Sequence, residues 1–344
     1  MFEAIATFCL LAAPDICRDV LLPGYEAQTQ ATCEAKLEGH QPELADSTPV
    51  SQPRCQMVGP IGRFEEISGG VYAHLGAISD AAPENYGDVA NIGFIVGETS
   101  VAVIDTGGTR KVAEEIYRAI RARTDLPVSH VILTHMHPDH VLGAALFAQI
   151  GATVVGHEKL GSALTDRAET YLTNFGELIG QDQFVGTTVV LPDMTVSETP
   201  SIDLGGRVIE LQSWQTSHTT NDLTVLDPTS GVMFTGDLVF HQHAPALDGS
   251  VRGWVEVLDI MKGLPVKRIV PGHGGPVLDW PGGAKDLSRY LHVLTMDTEK
   301  ALNAGRSLST AAETIATSEA ENWELFELFN ARNATVAFTE LEWE

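Results

Sequence analysis

Apolar residues recur along this chain at two different spacings, and the pattern changes near residue 61. Beyond that point, short runs rich in β-branched residues alternate with longer amphipathic segments, which predicts strands and helices in turn. Residues 71–78 read as a strand. Residues 91–96 and 100–104 flank Gly97-Glu98-Thr99, a hairpin pattern. Over 110–123, Val112, Ala113, Ile116, Ala119 and Ile120 fall at helical spacing. Val128–Leu133 is a β-rich run, followed by a helix over 141–150 and a strand over 152–155. Further strands are expected near 188–191, 207–213, 223–227, 231–235 and 267–270. Residues 158–186 have no clean period and suit a helix and loop covering a site. Within them Tyr171 and Phe175 read first as core and second as pocket wall.

The flanks read differently. The first forty residues suggest helix, broken at Leu22-Pro23-Gly24, and residues 41–60 carry Pro42, Pro49, Pro53 and Pro60 as a linker would. The last sixty residues read as helices with an acidic solvated face and a packed side of Trp323, Leu325, Phe326 and Phe329. Three parts follow: a Cys-containing helical module with its linker over 1–60, an α/β domain over 61–280, and C-terminal helices packed on it over 281–344.

A formal charge of −25, from 21 basic and 46 acidic residues, opposes nucleic acid and anionic membrane as partners. A small molecule is the expected substrate. The cysteines Cys9, Cys17, Cys33 and Cys55 all precede the α/β domain, and their spacing fits no zinc ribbon. Two disulfides are expected, with three pairings open, and they imply an oxidising compartment. The apolar start of the chain conflicts with this. It has Glu3 and no Lys or Arg, and so reads as a helix rather than a secretory signal. An export segment missing from this sequence would reconcile the two, and otherwise the chain is cytoplasmic.

The chemistry concentrates at strand ends. Thr134-His135-Met136-His137-Pro138-Asp139-His140 follows the run Val128–Leu133 directly. Three imidazoles and a carboxylate in six residues suit a divalent transition metal. His218, Asp237 and His273 each lie just past another predicted strand, with small residues beside them. A surface histidine patch would not recur at four strand ends. His40, His74, His130, His157 and His292 join no such motif.

The ordered set HxHxDH, His, Asp, His resembles the metallo-β-lactamase superfamily over roughly residues 61–280, which implies an αββα sandwich. The resemblance implies that His135, His137 and His218 hold one zinc ion, that Asp139, His140 and His273 hold a second, and that Asp237 bridges them. Asp105, in Asp105-Thr106-Gly107, matches a family turn whose carboxylate orients a ligand histidine. The implied reaction is hydrolysis by a metal-bridging hydroxide, with Asp139 and Asp237 as the catalytic carboxylates.

Asp237 narrows the choice, since zinc β-lactamases of the superfamily usually carry Cys or Ser there. Thioesterase-, lactonase- and sulfatase-like relatives carry Asp, so a small ester, thioester, lactone or sulfur ester is the expected substrate. Acidic C-terminal helices oppose an anionic glutathione thioester, and the overall charge opposes ribonuclease activity. The segment from His241 through His243 and Asp248 to Arg252 and Trp254, with the cysteine module and the ending Leu-Glu-Trp-Glu, is similar to the SoxH-like quinoprotein relay system zinc metallohydrolases. That implies a periplasmic protein linked to a quinoprotein dehydrogenase. In this segment Arg252 and Trp254 are candidate substrate contacts and His241 a candidate proton relay; the plainer reading is an exposed loop entering a helix that packs Trp254. The alternatives are β-lactamase activity, an iron-dependent persulfide dioxygenase, and a non-catalytic metal-binding accessory protein.

Overall fold

Alternation with period two sorts the strand side chains between two apolar layers. In Val101–Ile104, Val101 and Val103 join one cluster while Ala102 and Ile104 join another. In Val128–Leu133, Val131 and Leu133 part from Ile132 in the same way. Strands buried on both faces must be covered on both faces, and that requirement builds the fold. It is a computed structural model describing residues 1–39, 42–275 and 277–343, so His40 lies outside the described residues.

Among the described residues, seven strands form the first sheet. From one edge they are Met194–Val196, Thr153–His157, Val128–Leu133, Val101–Ile104, Ile92–Val96, Val71–His74 and Glu65–Ser68. Pairing is parallel from Met194–Val196 to Val101–Ile104 and antiparallel beyond. Six strands form the second sheet, in the order Ser201–Asp203, Val208–Ser213, Leu223–Asp227, Val232–Phe234, Arg268–Val270 and Leu278–Asp279. Ile95, Ile104, Ile132 and Val155 of the first sheet meet Leu211, Val225, Phe234 and Val270 of the second in the central layer. Helix Arg110–Arg121 and its neighbours cover the first sheet outside; Val251–Lys262, Lys285–Asn303 and Phe326–Leu341 cover the second. The result is the expected αββα sandwich.

Arg207 ties the two sheets together. Its guanidinium donates to Asp227 at 2.7 Å and to the Gly69 and Val96 carbonyls of the opposite sheet at 2.8 and 3.0 Å. Burial disfavours the Asp227 charge, yet Arg207 and Ser230 hold its pKa below the ordinary value. A depressed folded pKa stabilises the protein above the unfolded value near 4, and that contribution fades as pH falls through the folded pKa. Asp227→Ala leaves a cation unpaired between the sheets and should cost about 3 kcal/mol in urea unfolding at pH 7. The deficit should shrink in acid.

The N-terminal segment corrects the helical expectation. Phe2–Leu10 and Cys17–Ala27 form an antiparallel pair, extended by Ser47–Pro49 and Arg54–Met57, and one helix, Gln30–Leu37, packs on them. Ala4, Ile5 and Ala6 are all buried in succession. Such a run is apolar on both faces, and periodicity cannot tell it from a buried helix. Disulfides join Cys9 to Cys17 and Cys33 to Cys55. The stretch read as a linker supplies two of these strands, and Arg118 anchors the module through Glu3 at 2.7 Å. No strand forms at 188–191; the edge strand is Met194–Val196. The helix expected over 141–150 is split into Pro138–Val141 and Ala144–Gln149. Leu160–Ile179 supplies the expected covering helix.

Candidate metal centre

Five strands end at one edge of the sandwich, and the residue types that follow them decide what meets there. Val101–Ile104 delivers Asp105 and Val128–Leu133 delivers His135 to His140. Val208–Ser213 leads to His218, Val232–Phe234 to Asp237, and Arg268–Val270 to His273. Small residues make the convergence possible. A Cβ on Gly272 would fall 2.0 Å from Asp237 Oδ1, and one on Gly236 would strike Thr134 at 2.7 Å. Gly236 also takes a φ of +49°, in the left-handed region.

Side-chain donors of His135, His137, His218 and Asp237 form one group, and those of Asp139, His140 and His273 a second, each within 4.8 Å. Asp237 reaches both. Its Oδ2 lies 3.3 Å from His218 Nε2, 3.5 Å from His135 Nε2 and 3.4 Å from His273 Nε2. Its Oδ1 lies 3.2 Å from His140 Nε2. Asp139 Oδ2 meets His273 Nε2 at 3.2 Å. All seven predicted ligands are therefore brought together.

The opposite nitrogen of each ring is held. His140 Nδ1 meets Asp105 Oδ2 at 2.8 Å, His218 Nδ1 the Ala246 carbonyl at 2.6 Å, and His273 Nδ1 the Val89 carbonyl at 3.0 Å. His135 Nδ1 lies 3.0 Å from Thr134 Oγ1, and His137 Nε2 lies 3.3 Å from Asp248 Oδ2. An imidazole that donates through one nitrogen presents a bare lone pair at the other. Those lone pairs face each other: His137 Nδ1 and His218 Nε2 are 3.1 Å apart, and His140 Nε2 and His273 Nε2 are 3.3 Å apart. Buried His135 Nε2 and Asp237 Oδ1 have no hydrogen-bond partner. A nitrogen- and carboxylate-lined centre with orphaned acceptors fits divalent cations of the zinc type.

Electrostatics divide the two groups. Burial drives His135 well below the usual imidazole value and His218 down to about 3. Burial also opposes charge on His140 and His273, but Asp237, with Asp105 and Asp139, raises His140, and Asp237 with Asp139 lifts His273 to about 9. The carboxylates thus draw positive charge inward, as a proton or as a metal ion competing with it.

Several residues that organise the centre carry no sequence signal. Asn91 donates to the Pro271 and Gly274 carbonyls at 2.8 and 2.6 Å, clamping the turn that carries His273. Asp222 accepts from Thr219 and Ser217 and closes the loop of His218. Asn333, on helix Phe326–Leu341, donates to the Pro245 carbonyl at 2.6 Å and accepts from Leu247 N at 2.8 Å. That loop supplies the Ala246 carbonyl and Asp248 to two ligand rings, so the C-terminal helix positions the centre. Asn333→Ala should cost about 2 kcal/mol in stability and lower zinc affinity, read by competition with a chelator.

A cleft of about 410 Å³ opens over the centre, floored by Asp139, Asp237 and His273. Tyr171, Phe175, Phe240 and Phe329 form its walls, so the first two are pocket residues as well as core neighbours. The three expected substrate contacts do not line it. Trp254 is fully buried in the C-terminal core and donates to the Leu238 carbonyl at 3.0 Å. Arg252 lies on the outer face of the helix and pairs with Glu299 at 2.8 Å. His241 donates through its backbone N–H to the His273 carbonyl at 3.1 Å, and its side chain is not among the cleft residues. Helix Val251–Lys262 packs its apolar face into the core and so carries its charged face away from the cleft. His243 does line the cleft, its Nδ1 donating to the Ala244 carbonyl at 2.7 Å.

A family model described as the Metallo-beta-lactamase superfamily matches residues 85–273. A metallo-beta-lactamase from Pontibacter korlensis is similar at 20% identity and a TM-score of 0.54, covering 67% of this chain and 98% of its own. The metallo-beta-lactamase IND-7 is similar at 18% identity and a TM-score of 0.52, covering 67% of this chain and 97% of its own. Likeness at such identity carries the fold.

Proposed function

This chain belongs to the metallo-beta-lactamase superfamily, and from that premise we propose that it is a dinuclear zinc hydrolase of small esters, thioesters, lactones or sulfur esters. One observation carries the reading: Asp237 extends its two carboxylate oxygens to both groups of ring nitrogens. In this reading His135, His137 and His218 hold one zinc ion, Asp139, His140 and His273 hold the other, and Asp237 is shared. Zinc held there supplies an activated water at neutral pH and polarises the electrophile.

The chain's own groups do the rest. Asp105, Asp248 and the Ala246 and Val89 carbonyls fix the tautomers of four rings, so lone pairs rather than N–H groups point inward. Asp139 turns Oδ2 toward His140 and His273. Tyr171, Phe175, Phe240 and Phe329 offer an apolar surface against which an acyl or aryl group can pack. Asp at 237, in place of the Cys or Ser usual in zinc β-lactamases, supports ester-type substrates over β-lactams. The two disulfides support an oxidising, periplasmic setting, and a link to a quinoprotein dehydrogenase rests on the SoxH-like resemblance.

The test is a panel of aryl esters, thioesters, lactones, sulfate esters and a β-lactam, assayed with zinc and after chelation. Zinc-dependent turnover of an ester-type member supports the reading. Turnover of the β-lactam alone makes the chain a β-lactamase, and iron-dependent oxygen uptake with a persulfide makes it a dioxygenase. No metal-dependent turnover of any member favours an accessory protein.

A further inference from the structure

Two helices on opposite walls of the cleft each bring one arginine to its mouth. Arg167 lies on Leu160–Ile179 and Arg332 on Phe326–Leu341, and both line the cleft. They face the same carboxylate: Arg332 Nη2 is 3.3 Å from Asp248 Oδ1, and Arg167 Nη2 is 3.9 Å from Asp248 Oδ2. Asp248 also serves His137 through Oδ2. A single carboxylate therefore stands between two guanidinium groups, which leaves one positive charge among these three side chains; Asp80 lines the cleft as well. At 3.9 Å the Arg167 contact is too long for a hydrogen bond, so its donors remain available. Both side chains are 40% or more exposed and can be reached from solvent.

Position sharpens the meaning of this charge. Arg167 and Tyr171 are four residues apart on one helix, and Phe329 and Arg332 three apart on the other, so each pair shares a face. Each wall thus presents an aromatic ring and, one turn away, a planar cation suited to a carboxylate. This convergence runs against the mean charge of a chain with 21 basic and 46 acidic residues. The acidic C-terminal segment carries only two arginines beyond residue 304, and one of them reaches the cleft.

We propose that Arg167 and Arg332 form an anion clamp selecting substrates with an apolar body and a second, non-reacting carboxylate. The proposal rests on the reading of this cleft as a hydrolase's substrate entrance.

Calorimetric titration of the zinc-loaded protein with 4-phenylbutyrate and with its uncharged amide tests it, in wild type, Arg167→Gln, Arg332→Gln and the double variant. Wild type should bind the acid about 10-fold tighter than the amide. Each single variant should lose about 3-fold or more, and the double variant should bind acid and amide alike. Zinc content is measured in parallel, because Arg332 touches the carboxylate that holds His137. Equal binding of acid and amide by wild type overturns the clamp. Undiminished acid affinity in the double variant overturns it too, since that is how a carboxylate held by zinc alone behaves. Arginine-dependent binding without turnover of any ester removes the hydrolase reading and leaves the clamp. Ester turnover with arginine-independent binding does the reverse.

Discussion

Asp237→Ala should strip the centre of bound zinc and lower kcat/KM by roughly 10³-fold or more, about 4 kcal/mol of barrier. The expectation follows from position. Asp237 is the group whose two oxygens approach His135, His140, His218 and His273 all within 3.5 Å. Without it, four buried imidazoles keep no common anion: the half of His135, His137 and His218 is left with ring nitrogens alone, and the other half keeps Asp139 as its carboxylate. The histidines His140 and His273, raised by the neighbouring carboxylates, should drop toward ordinary values, so proton competition changes as well. Atomic emission analysis of the dialysed variant and its hydrolysis rate should fall together. Full turnover with two zinc ions retained would remove Asp237 from a shared role.

Asp105→Ala should be the second most damaging change, although Asp105 lies outside the donor set. Its carboxylate accepts from Thr134 N at 2.9 Å, Thr134 Oγ1 at 2.8 Å and His140 Nδ1 at 2.8 Å. Its backbone sits at a φ of +59°, where Asp and Asn are tolerated and Ala is strained. The substitution therefore orphans buried donors, frees the His140 ring and strains the turn at once. Zinc affinity should fall about 10- to 100-fold. Asp105→Asn keeps the turn and an acceptor but loses the charge, so its affinity should lie between wild type and alanine. Equal losses in both variants would mean that the charge of the carboxylate, not the backbone turn, is what matters, and wild-type affinity in Asp105→Asn would place the effect on the turn.

The contrast between these residues and their supports shows what could be read in advance. The metal donors were legible because they follow four strand ends, most of them with Gly, Thr or Pro beside them. The sandwich was legible because its strands alternate cleanly between two buried faces. Asn91 and Asn333 were not, since their partners lie 180 and 88 residues away and no local pattern encodes such contacts. The N-terminal module misled because Phe2–Leu10 is apolar on successive residues, and only its pairing with Cys17–Ala27 makes it a strand. Arg252 and Trp254 misled for a related reason. Proximity in sequence to Asp237 says nothing about which face of Val251–Lys262 meets the cleft, and packing turned both away. Arg167 and Arg332 show the opposite case, where a net acidic composition hides a local cationic mouth.

The most direct test of the central claim is the zinc content of the protein after saturation and exhaustive dialysis. Two zinc ions per chain are expected, with both lost to a strong chelator and both regained on adding zinc back. One ion or none at saturation, or a single iron retained in place of zinc, would contradict a centre in which seven side chains hold a pair of cations.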